Sequence, residues 1–276
     1  MGGKQLLVPH LLPMIPKHST YVEVFGGAGS LLLNKPPSSL EVYNDLDGEL
    51  VNLFEVIRDD VDAFLKHAHF LLYSCELYQS WQRELKRGVV PEDRVERALR
   101  YWYLIMCSFG AHPYKGWGFN KHGRRSLSTS MQNALGHLQL IHERLKTVQI
   151  DHLDFRKCIE RYDDPNTFLF LDPPYLDTSP YRIGKFTLED HRALADLLRS
   201  VKGKWLMTIG NRSDIRELYS KLPSRSISSP TSIEKVTGSK RTHFANLVIH
   251  NYMPPETPLL VATASESMLL DMFTLR

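Results

Sequence analysis

The sequence has few cysteines and no long hydrophobic run, and each of these absences excludes a class of protein. Its three cysteines, Cys75, Cys107 and Cys158, are odd in number and far apart. They therefore offer neither a disulfide framework nor a metal-ligand spacing, and we expect buried hydrophobes in a reducing cytoplasm. No apolar stretch reaches the length that spans a membrane. The 276 residues suffice for one catalytic core with a sizeable insertion.

Acidic residues are absent from one long segment. The formal net charge is only +3, yet no Asp or Glu occurs between Arg97 and His142. Residues 101–109 are apolar nearly all round and predict a buried helix. Residues 115–125 predict a polar, basic hairpin with a turn near residues 121–123, a shape suited to entering a nucleic-acid groove. The candidate contacts with the nucleic acid in this segment are Lys115, Asn120, Lys121, Arg124 and Arg125.

A rigid loop follows one predicted buried strand. Residues 167–171 are apolar and lead into Asp172, Pro173, Pro174 and Tyr175. The prolines fix the backbone without joining a strand ladder, so a carboxylate, a carbonyl and an aromatic ring can face one spot. Such a group suits a planar base that bears an exocyclic amine. The alternative is an ordinary strand-end turn with a capping acid.

A glycine-rich turn follows another predicted strand. Residues 21–25 lead into Gly26-Gly27-Ala28-Gly29-Ser30, and Leu31-Leu32-Leu33 then predicts the start of a helix. The third glycine of the dinucleotide fingerprint is missing. A second predicted strand, residues 40–45, ends in Asp45, roughly 20 residues after the turn, where an acid can accept hydrogen bonds from ribose hydroxyls. Together these features indicate an adenosine-containing ligand.

In this order, the motifs resemble those of the Dam-like, alpha-group N6-adenine DNA methyltransferases. The resemblance runs from Gly2 to about Tyr252. It implies methyl transfer from S-adenosylmethionine to N6 of an adenine that is flipped out of double-stranded DNA, with S-adenosylhomocysteine as product and no metal. The implied catalytic residues are Asp172, Pro173, Pro174 and Tyr175. The implied cofactor-binding residues are Lys4 (within Gly2-Gly3-Lys4), Phe25, Gly26, Gly27, Ala28, Gly29, Asp45, Asp154 and Phe155.

Alternating strands and helices predict an α/β fold, and the resemblance specifies it as the S-adenosylmethionine-dependent methyltransferase fold. We expect a mostly parallel sheet flanked by helices, with an inserted helical target-recognition domain that carries a β-hairpin. Residues 1–56 and 147–253 would form the catalytic domain, 57–146 the recognition domain, and 254–276 a tail. Further predicted helices cover residues 61–72, 76–86, 92–106, 188–200 and 213–221. Further predicted strands cover residues 148–150, 204–209 and 245–252.

Several alternatives stay open at the level of sequence. The chain could be an RNA adenine methyltransferase, an N4-cytosine DNA methyltransferase or an inactive DNA-binding relative. Residues 108–112 differ from the Asn-Gly-Leu-like stretch of GATC-reading members, so the recognition sequence is not predicted. We expect a monomer, with a dimer on DNA as the alternative. Residues 224–241 predict a surface loop, which would either be a solvated connector or contact phosphate through Lys240 and Arg241.

Overall fold

The computed structural model describes residues 4–118, 127–176, 184–230, 243–255 and 273. Within these residues, seven strands form one sheet in the order β3-β2-β1-β4-β5-β7-β6. The strands are β1 (Thr20–Glu23), β2 (Leu40–Asn44), β3 (Val148–Asp151), β4 (Thr167–Leu171), β5 (Lys204–Gly210), β6 (Ser224–Pro230) and β7 (His243–His250). The first five are parallel, and β7 runs antiparallel between β5 and β6. The predicted mostly parallel sheet is confirmed.

Helices cover both faces of this sheet. They are α1 (Val8–Leu11), α2 (Gly48–Asp59), α3 (Val61–Ala68), α4 (Cys75–Lys86), α5 (Arg94–Met106), α6 (Leu127–Leu145), α7 (Phe155–Tyr162), α8 (Leu188–Leu198) and α9 (Ser213–Leu218). Capping side chains explain where several of them begin. Thr187 and Asp190 form a reciprocal capping box at the start of α8, and the carboxylate of Asp154 accepts the Arg156 N–H at the start of α7.

The period-two alternation of side chains divides the core into two layers. Tyr21, Tyr43 and Phe168 point to the layer that α2, α3, α5 and α6 cover. Their neighbours Val22 and Leu169 point to the layer that α7, α8 and α9 cover. Strands buried on both faces read as continuous apolar runs, which is why β4 was predicted with its exact bounds.

Three predictions about elements are wrong. Leu31-Leu32-Leu33 form turns rather than a helix, within the six residues between Gly29 and Pro36, whose ring disfavours a helical residue before it. Residues 224–230 form β6, an edge strand whose polar side chains suit its exposed side. The helix predicted over residues 92–106 is α5 and ends at Met106, so the interpretation of residues 101–109 as one buried helix is wrong at its end, where Phe109 is exposed.

The inserted segment and the predicted catalytic core share one hydrophobic layer. Side chains of α5 and α6 pack with those of α2 and the sheet, and Phe273 from the tail joins the same layer. The domain boundaries at residues 57 and 146 stay a prediction. Cys107 and Cys158 are buried as expected, whereas Cys75 is exposed. In the part of the chain that the structure describes, no helix is both long and apolar enough to cross a membrane.

Candidate active site

A cleft of about 290 Å³ opens at the carboxyl ends of the parallel strands. Ligands of open α/β sheets bind at this edge. The predicted site residues that line the cleft are Phe25, Gly26, Gly27, Ala28, Asp45, Asp154, Phe155, Asp172 and Pro174. Gly29, Pro173 and Tyr175 belong to the same loops but are not part of the lining. The structure therefore brings together residues from four separate sequence motifs.

The glycine loop that follows β1 lies against an aromatic pair. A Cβ atom on Gly26 would come within 2.2 Å of the Tyr43 ring, which stacks on Phe54 with 4.0 Å between ring centroids. Gly27 and Gly29 have positive φ values of 51° and 65°. The Tyr43 hydroxyl donates a 2.8 Å hydrogen bond to the Gly27 carbonyl. Only glycine permits this close approach and this backbone conformation.

Asp45 follows β2 and is held by the backbone on both of its oxygens. Its Oδ2 accepts the Gly27 N–H at 2.8 Å, and its Oδ1 accepts the Asp47 N–H at 2.8 Å. Burial raises the pKa of Asp45 to about 6, against the lowering effect of these two bonds, so the carboxylate is ionised at neutral pH. Each oxygen keeps a further acceptor site, which suits the two hydroxyls of a ribose.

Three aromatic rings form one wall of the cleft. The Phe25 and Phe155 centroids lie 5.7 Å apart, and Phe186 lies 5.7 Å from Phe25 and 5.5 Å from Phe155. The Arg156 guanidinium lies 4.2 Å from the centroid of Phe155, and it pairs with Asp154 and Asp190. Such a wall suits the flat, apolar face of a purine. Phe186 was not predicted as a site residue, because its position beside Phe25 arises only in the folded chain.

The loop after β4 is held by side chains of β5 and β7. Asp172 Oδ1 accepts a 2.8 Å hydrogen bond from the Thr208 hydroxyl on β5. The Tyr175 hydroxyl donates a 3.1 Å hydrogen bond to Asn246 Oδ1 on β7. Thr208 and Asn246 are both buried. Sequence analysis did not find these two partners, because the residues around Thr208 and Asn246 do not indicate which loop each strand lies beside.

Glu23, the last residue of β1, is a cleft residue that sequence analysis missed. Its side chain is 2% exposed, and its Oε2 accepts hydrogen bonds from the Tyr21 hydroxyl at 2.8 Å and the Leu32 N–H at 2.9 Å. Burial, with a smaller contribution from the charge of nearby Asp172, raises the pKa of Glu23 to about 8. The group is therefore mostly a neutral carboxylic acid at pH 7. An acid within an apolar strand was the available signal.

The inserted segment also contributes to the cleft lining. Tyr101 on α5 is buried and lines the cleft, and its hydroxyl donates a 3.0 Å hydrogen bond to Asp47 Oδ2. His112, Pro113 and Tyr114 line the cleft from the loop after α5. The sequence predicted the helix but not this role, because the part of the helix from Tyr101 to Met106 is apolar on every side and gives no periodicity from which its cleft-facing side could be chosen.

The candidate DNA contacts are only partly described. Lys115 is exposed and directly follows the cleft-lining residues Pro113 and Tyr114. An antiparallel bridge joins Ser108 to Trp117 and closes residues 109–116 into a loop, while the predicted turn near residues 121–123 lies outside the described residues. The described residues contain no group of three or more His, Cys, Asp or Glu side chains that could hold a metal ion. The predicted residues that lie outside the described ranges are Gly2, Gly3, Asn120, Lys121, Arg124, Arg125, Lys240 and Arg241, and the Lys4 side chain is not described.

Comparison with known proteins agrees with this geometry. Residues 1–236 match the model of the family described as D12 class N6 adenine-specific DNA methyltransferase. The chain is 31% identical over 228 residues to the type II methyltransferase M.CviBI of Paramecium bursaria Chlorella virus NC1A, covering 79% of this chain and 84% of that protein. It is 24% identical over 256 residues to the DNA adenine methylase of Escherichia coli K12, covering 87% and 89%.

A solved structure was matched as well. It is an rRNA methylase from Streptococcus thermophilus, with 12% sequence identity and a TM-score of 0.31, covering 89% of this chain and 94% of that one. A likeness at this level carries no argument about substrate or fold. The fold class rests on the strand order and on the helices that cover both faces of the sheet.

Proposed function

Because the chain belongs to the D12 class of N6 adenine-specific DNA methyltransferases, we propose that its cleft holds S-adenosylmethionine and presents the target adenine to Asp172. Site-specific methylation of adenine in DNA is the activity of this family. The RNA, N4-cytosine and inactive alternatives are not favoured, since the family and the relatives are described as acting on adenine in DNA or as type II methyltransferases. The observation that carries the proposal is the lining of one cleft by both Asp45 and Asp172.

The described residues fit the parts of S-adenosylmethionine. The wall of Phe25, Phe155 and Phe186 offers an apolar surface to the adenine ring. The anionic carboxylate of Asp45 offers acceptors to the ribose hydroxyls. The glycine loop admits the ligand close to the backbone. When bound, the cofactor supplies a methyl group that its sulfonium already activates. Lys4, Ala28, Gly29 and Asp154 complete the proposed cofactor-binding set.

Asp172 would act on the amino group of the target adenine. The N6 lone pair is delocalised into the ring, so this nitrogen is a poor nucleophile until it becomes tetrahedral. Asp172 and the Pro173 carbonyl would accept the two N6 hydrogens and favour that geometry. Positive charge grows on N6 as the methyl group is transferred, so these acceptors stabilise the transition state more than the ground state. Asp172 need not be a strong base, because the methylated amine carries a positive charge and readily loses its proton afterwards.

The other residues of this loop would hold the two partners in line. Thr208 donates to Asp172 and thereby fixes the direction of its second oxygen. N6 is inaccessible inside a duplex, so the adenine must be extruded, and the Tyr175 ring would stack on it. Asn246 accepts a hydrogen bond from the Tyr175 hydroxyl and thereby restricts the orientation of that ring. Pro174 lines the cleft and stiffens the loop.

Duplex DNA would be held by the basic segment next to the cleft. Lys115, Asn120, Lys121, Arg124 and Arg125 are the proposed contacts of the recognition domain, residues 57–146. Lys240 and Arg241 are proposed to contact phosphate near the target base. Lys115 supports this assignment, because it is exposed beside residues that line the cleft. We expect a monomer to carry out the reaction.

The test is a methyl-transfer assay with labelled S-adenosylmethionine and three substrates. These are duplex DNA, a structured RNA of matched adenine content, and duplex DNA with every adenine replaced by 2-aminopurine, which lacks the N6 amine. We expect label only in the first substrate, recovered as N6-methyladenine. Label in the RNA or in the adenine-free duplex, or recovery as N4-methylcytosine, would overturn the proposal.

A further inference from the structure

One face of helix α5 holds the loop that carries Asp45. Arg97 and Tyr101 are four residues apart on α5 and therefore lie on the same side of the helix. The Tyr101 hydroxyl donates to Asp47 Oδ2 at 3.0 Å. The Arg97 guanidinium forms a forked pair with Glu49, at 2.8 and 2.7 Å. The inserted segment thus contacts the start of α2 through two separate side chains.

Asp47 connects this contact with the proposed ribose-binding carboxylate. Its backbone N–H donates to Asp45 Oδ1, and its own Oδ1 accepts the Glu49 N–H at 3.0 Å as the N-cap of α2. A single residue therefore separates the Tyr101 hydroxyl from Asp45. A shift of Asp47 would change the direction of one of the two bonds that orient the Asp45 carboxylate.

The contact is buried, which strengthens its hold on the loop. Tyr101, Asp47 and Glu49 are 3%, 7% and 2% exposed. A hydrogen bond to a carboxylate away from water is stronger than an exposed or neutral one. Burial raises the pKa of Tyr101 well above its usual value, and the charge of Asp47 raises it further. The hydroxyl therefore remains a donor at any pH at which the protein would be assayed.

We propose that Tyr101 is a positioning residue for the cofactor, which acts by holding Asp45 in place through Asp47. The inference rests on the ribose-binding role proposed above for Asp45. Helix α5 continues into the loop whose residues His112, Pro113 and Tyr114 line the same cleft. The inserted segment would thus take part in cofactor binding as well as in the recognition of DNA.

The test is Tyr101→Phe, which removes the hydroxyl and keeps the ring. We expect the dissociation constant and the KM for S-adenosylmethionine to rise about three- to tenfold, the range that one lost net hydrogen bond produces. Because Tyr101 is not proposed to touch the reacting atoms, kcat at saturating cofactor should stay within about twofold of wild type. The affinity for duplex DNA measured without cofactor should not change.

Tyr103→Phe is a matched control on the same helix. Tyr103 is fully buried, and its hydroxyl shares its hydrogen between the carbonyls of Leu72 and Ser74, at 2.9 and 3.0 Å, and accepts the Ser74 N–H at 3.0 Å, away from the cleft. This variant should lower the melting temperature about as much as Tyr101→Phe does, without raising the KM for the cofactor. An equal rise in KM in both variants would overturn the proposal, because general loosening of α5 would then explain the effect.

Asp45→Ala separates failure of this inference from failure of the proposed function. We expect Asp45→Ala to weaken cofactor binding about 10- to 100-fold, and adding Tyr101→Phe should weaken it no further, since Tyr101 acts through Asp45. Additive losses in the double variant, or wild-type affinity in Tyr101→Phe alone, would overturn the positioning role only. Wild-type affinity in Asp45→Ala would overturn the proposed ribose site, and this inference with it.

Discussion

At the scale of single residues, Glu23 shows how burial changes the chemistry of a carboxyl group. Its side chain lies at the end of β1 and lines the cleft, and burial raises its pKa to about 8. Asp45 directly follows the next strand, and burial raises its pKa only to about 6, because two backbone N–H groups stabilise its anion and oppose the effect of burial. Two acids in one cleft thus have different charges at neutral pH.

This difference predicts a pH dependence of stability. A carboxyl group whose pKa is raised in the folded state contributes stability that is fully present below its ordinary pKa of 4.5 and is lost as the pH rises through about 8. The free energy of unfolding should therefore fall between pH 5 and pH 9 by roughly 2–4 kcal/mol on account of Glu23.

Glu23→Gln tests this prediction, because glutamine keeps an acceptor oxygen and cannot ionise. Urea unfolding at several pH values should show that the variant gains stability relative to wild type as the pH increases. Asp45 titrates in both proteins, so its effect cancels in the comparison. Parallel curves for the two proteins would show that Glu23 does not titrate in this range.

The residues that could be predicted from the sequence share one property. Gly26, Asp45 and Asp172 each end a predicted strand or directly follow one, Asp154 lies in the short loop after another, and the carboxyl ends of parallel strands meet at one edge of a sheet. Thr208, Asn246 and Tyr101 could not be predicted in the same way. Their roles depend on which strand or helix lies beside which loop, and the neighbouring residues in the sequence do not predict this arrangement.

At the scale of elements, the parallel strands were the most predictable part of the fold. β4 and β5 are mostly apolar and buried from Thr167 and Trp205 onward, because helices cover both faces of the sheet. The wrong predictions concern segments in which the hydrophobic pattern alone did not determine the structure. Leu31-Leu32-Leu33 were predicted to start a helix, yet they form turns between Gly29, which has a positive φ, and Pro36. β6 is polar and read as a loop, yet it pairs with β7 along the sheet edge.

The glycine loop after β1 leads to a prediction about Gly26. An alanine at this position would place its Cβ atom 2.2 Å from the Tyr43 ring, which cannot move away freely because it is stacked on Phe54. We expect Gly26→Ala to lower the free energy of unfolding by about 1–3 kcal/mol and to weaken cofactor binding. Denaturant unfolding and calorimetric titration with S-adenosylmethionine would measure the two effects.

Gly136→Ala is the matched control for this variant. Gly136 is exposed on α6, and a Cβ atom there would meet no heavy atom within 4 Å beyond its chain neighbours and the backbone of its own helix. Alanine should stabilise this helix by about 0.5–1 kcal/mol and leave cofactor binding unchanged. If Gly26→Ala were as stable as wild type and bound cofactor equally well, the packing of the glycine loop would not be what restricts this position.

At the scale of the whole molecule, the sheet places the cleft at one edge and the inserted segment beside it. α5 packs on α2, contributes Tyr101 to the cleft lining and leads towards the acid-free, basic segment. The cleft is too small for a duplex, so the DNA must stay outside while one base enters. A segment without acidic residues beside the cleft is suited to holding the phosphate backbone there. The sequence predicted the charge pattern but not the contact between α5 and the cofactor loop.

The basic segment predicts two kinds of DNA contact. Lys121→Ala should weaken binding to all duplex sequences and reduce the salt dependence by about one phosphate contact. Arg124→Ala or Arg125→Ala should relax specificity at one base pair, at a cost of roughly 1–3 kcal/mol, because arginine can bind a guanine edge with two hydrogen bonds. Binding isotherms at several salt concentrations and methylation-aware sequencing would distinguish the two kinds.

Arg199→Ala is the control for these variants. Arg199 follows α8, which covers the opposite face of the sheet from α5, and it pairs with Asp196 in solvent. Its loss should change neither affinity nor salt dependence. Wild-type behaviour of all three variants in residues 121–125 would move the recognition role to another segment.

The central claim is that Asp172 accepts the N6 hydrogens of the target adenine in the transition state. The most direct measurement is the single-turnover rate of methyl transfer by Asp172→Ala, with cofactor binding and melting temperature measured on the same sample. We expect the rate to fall by about a hundredfold or more, with cofactor binding and fold retained, as for the loss of a transition-state hydrogen-bond partner. Asp196→Ala, which changes an exposed acid on α8, should transfer methyl groups at the wild-type rate. An Asp172→Ala protein that kept more than about a tenth of the wild-type rate would contradict the claim.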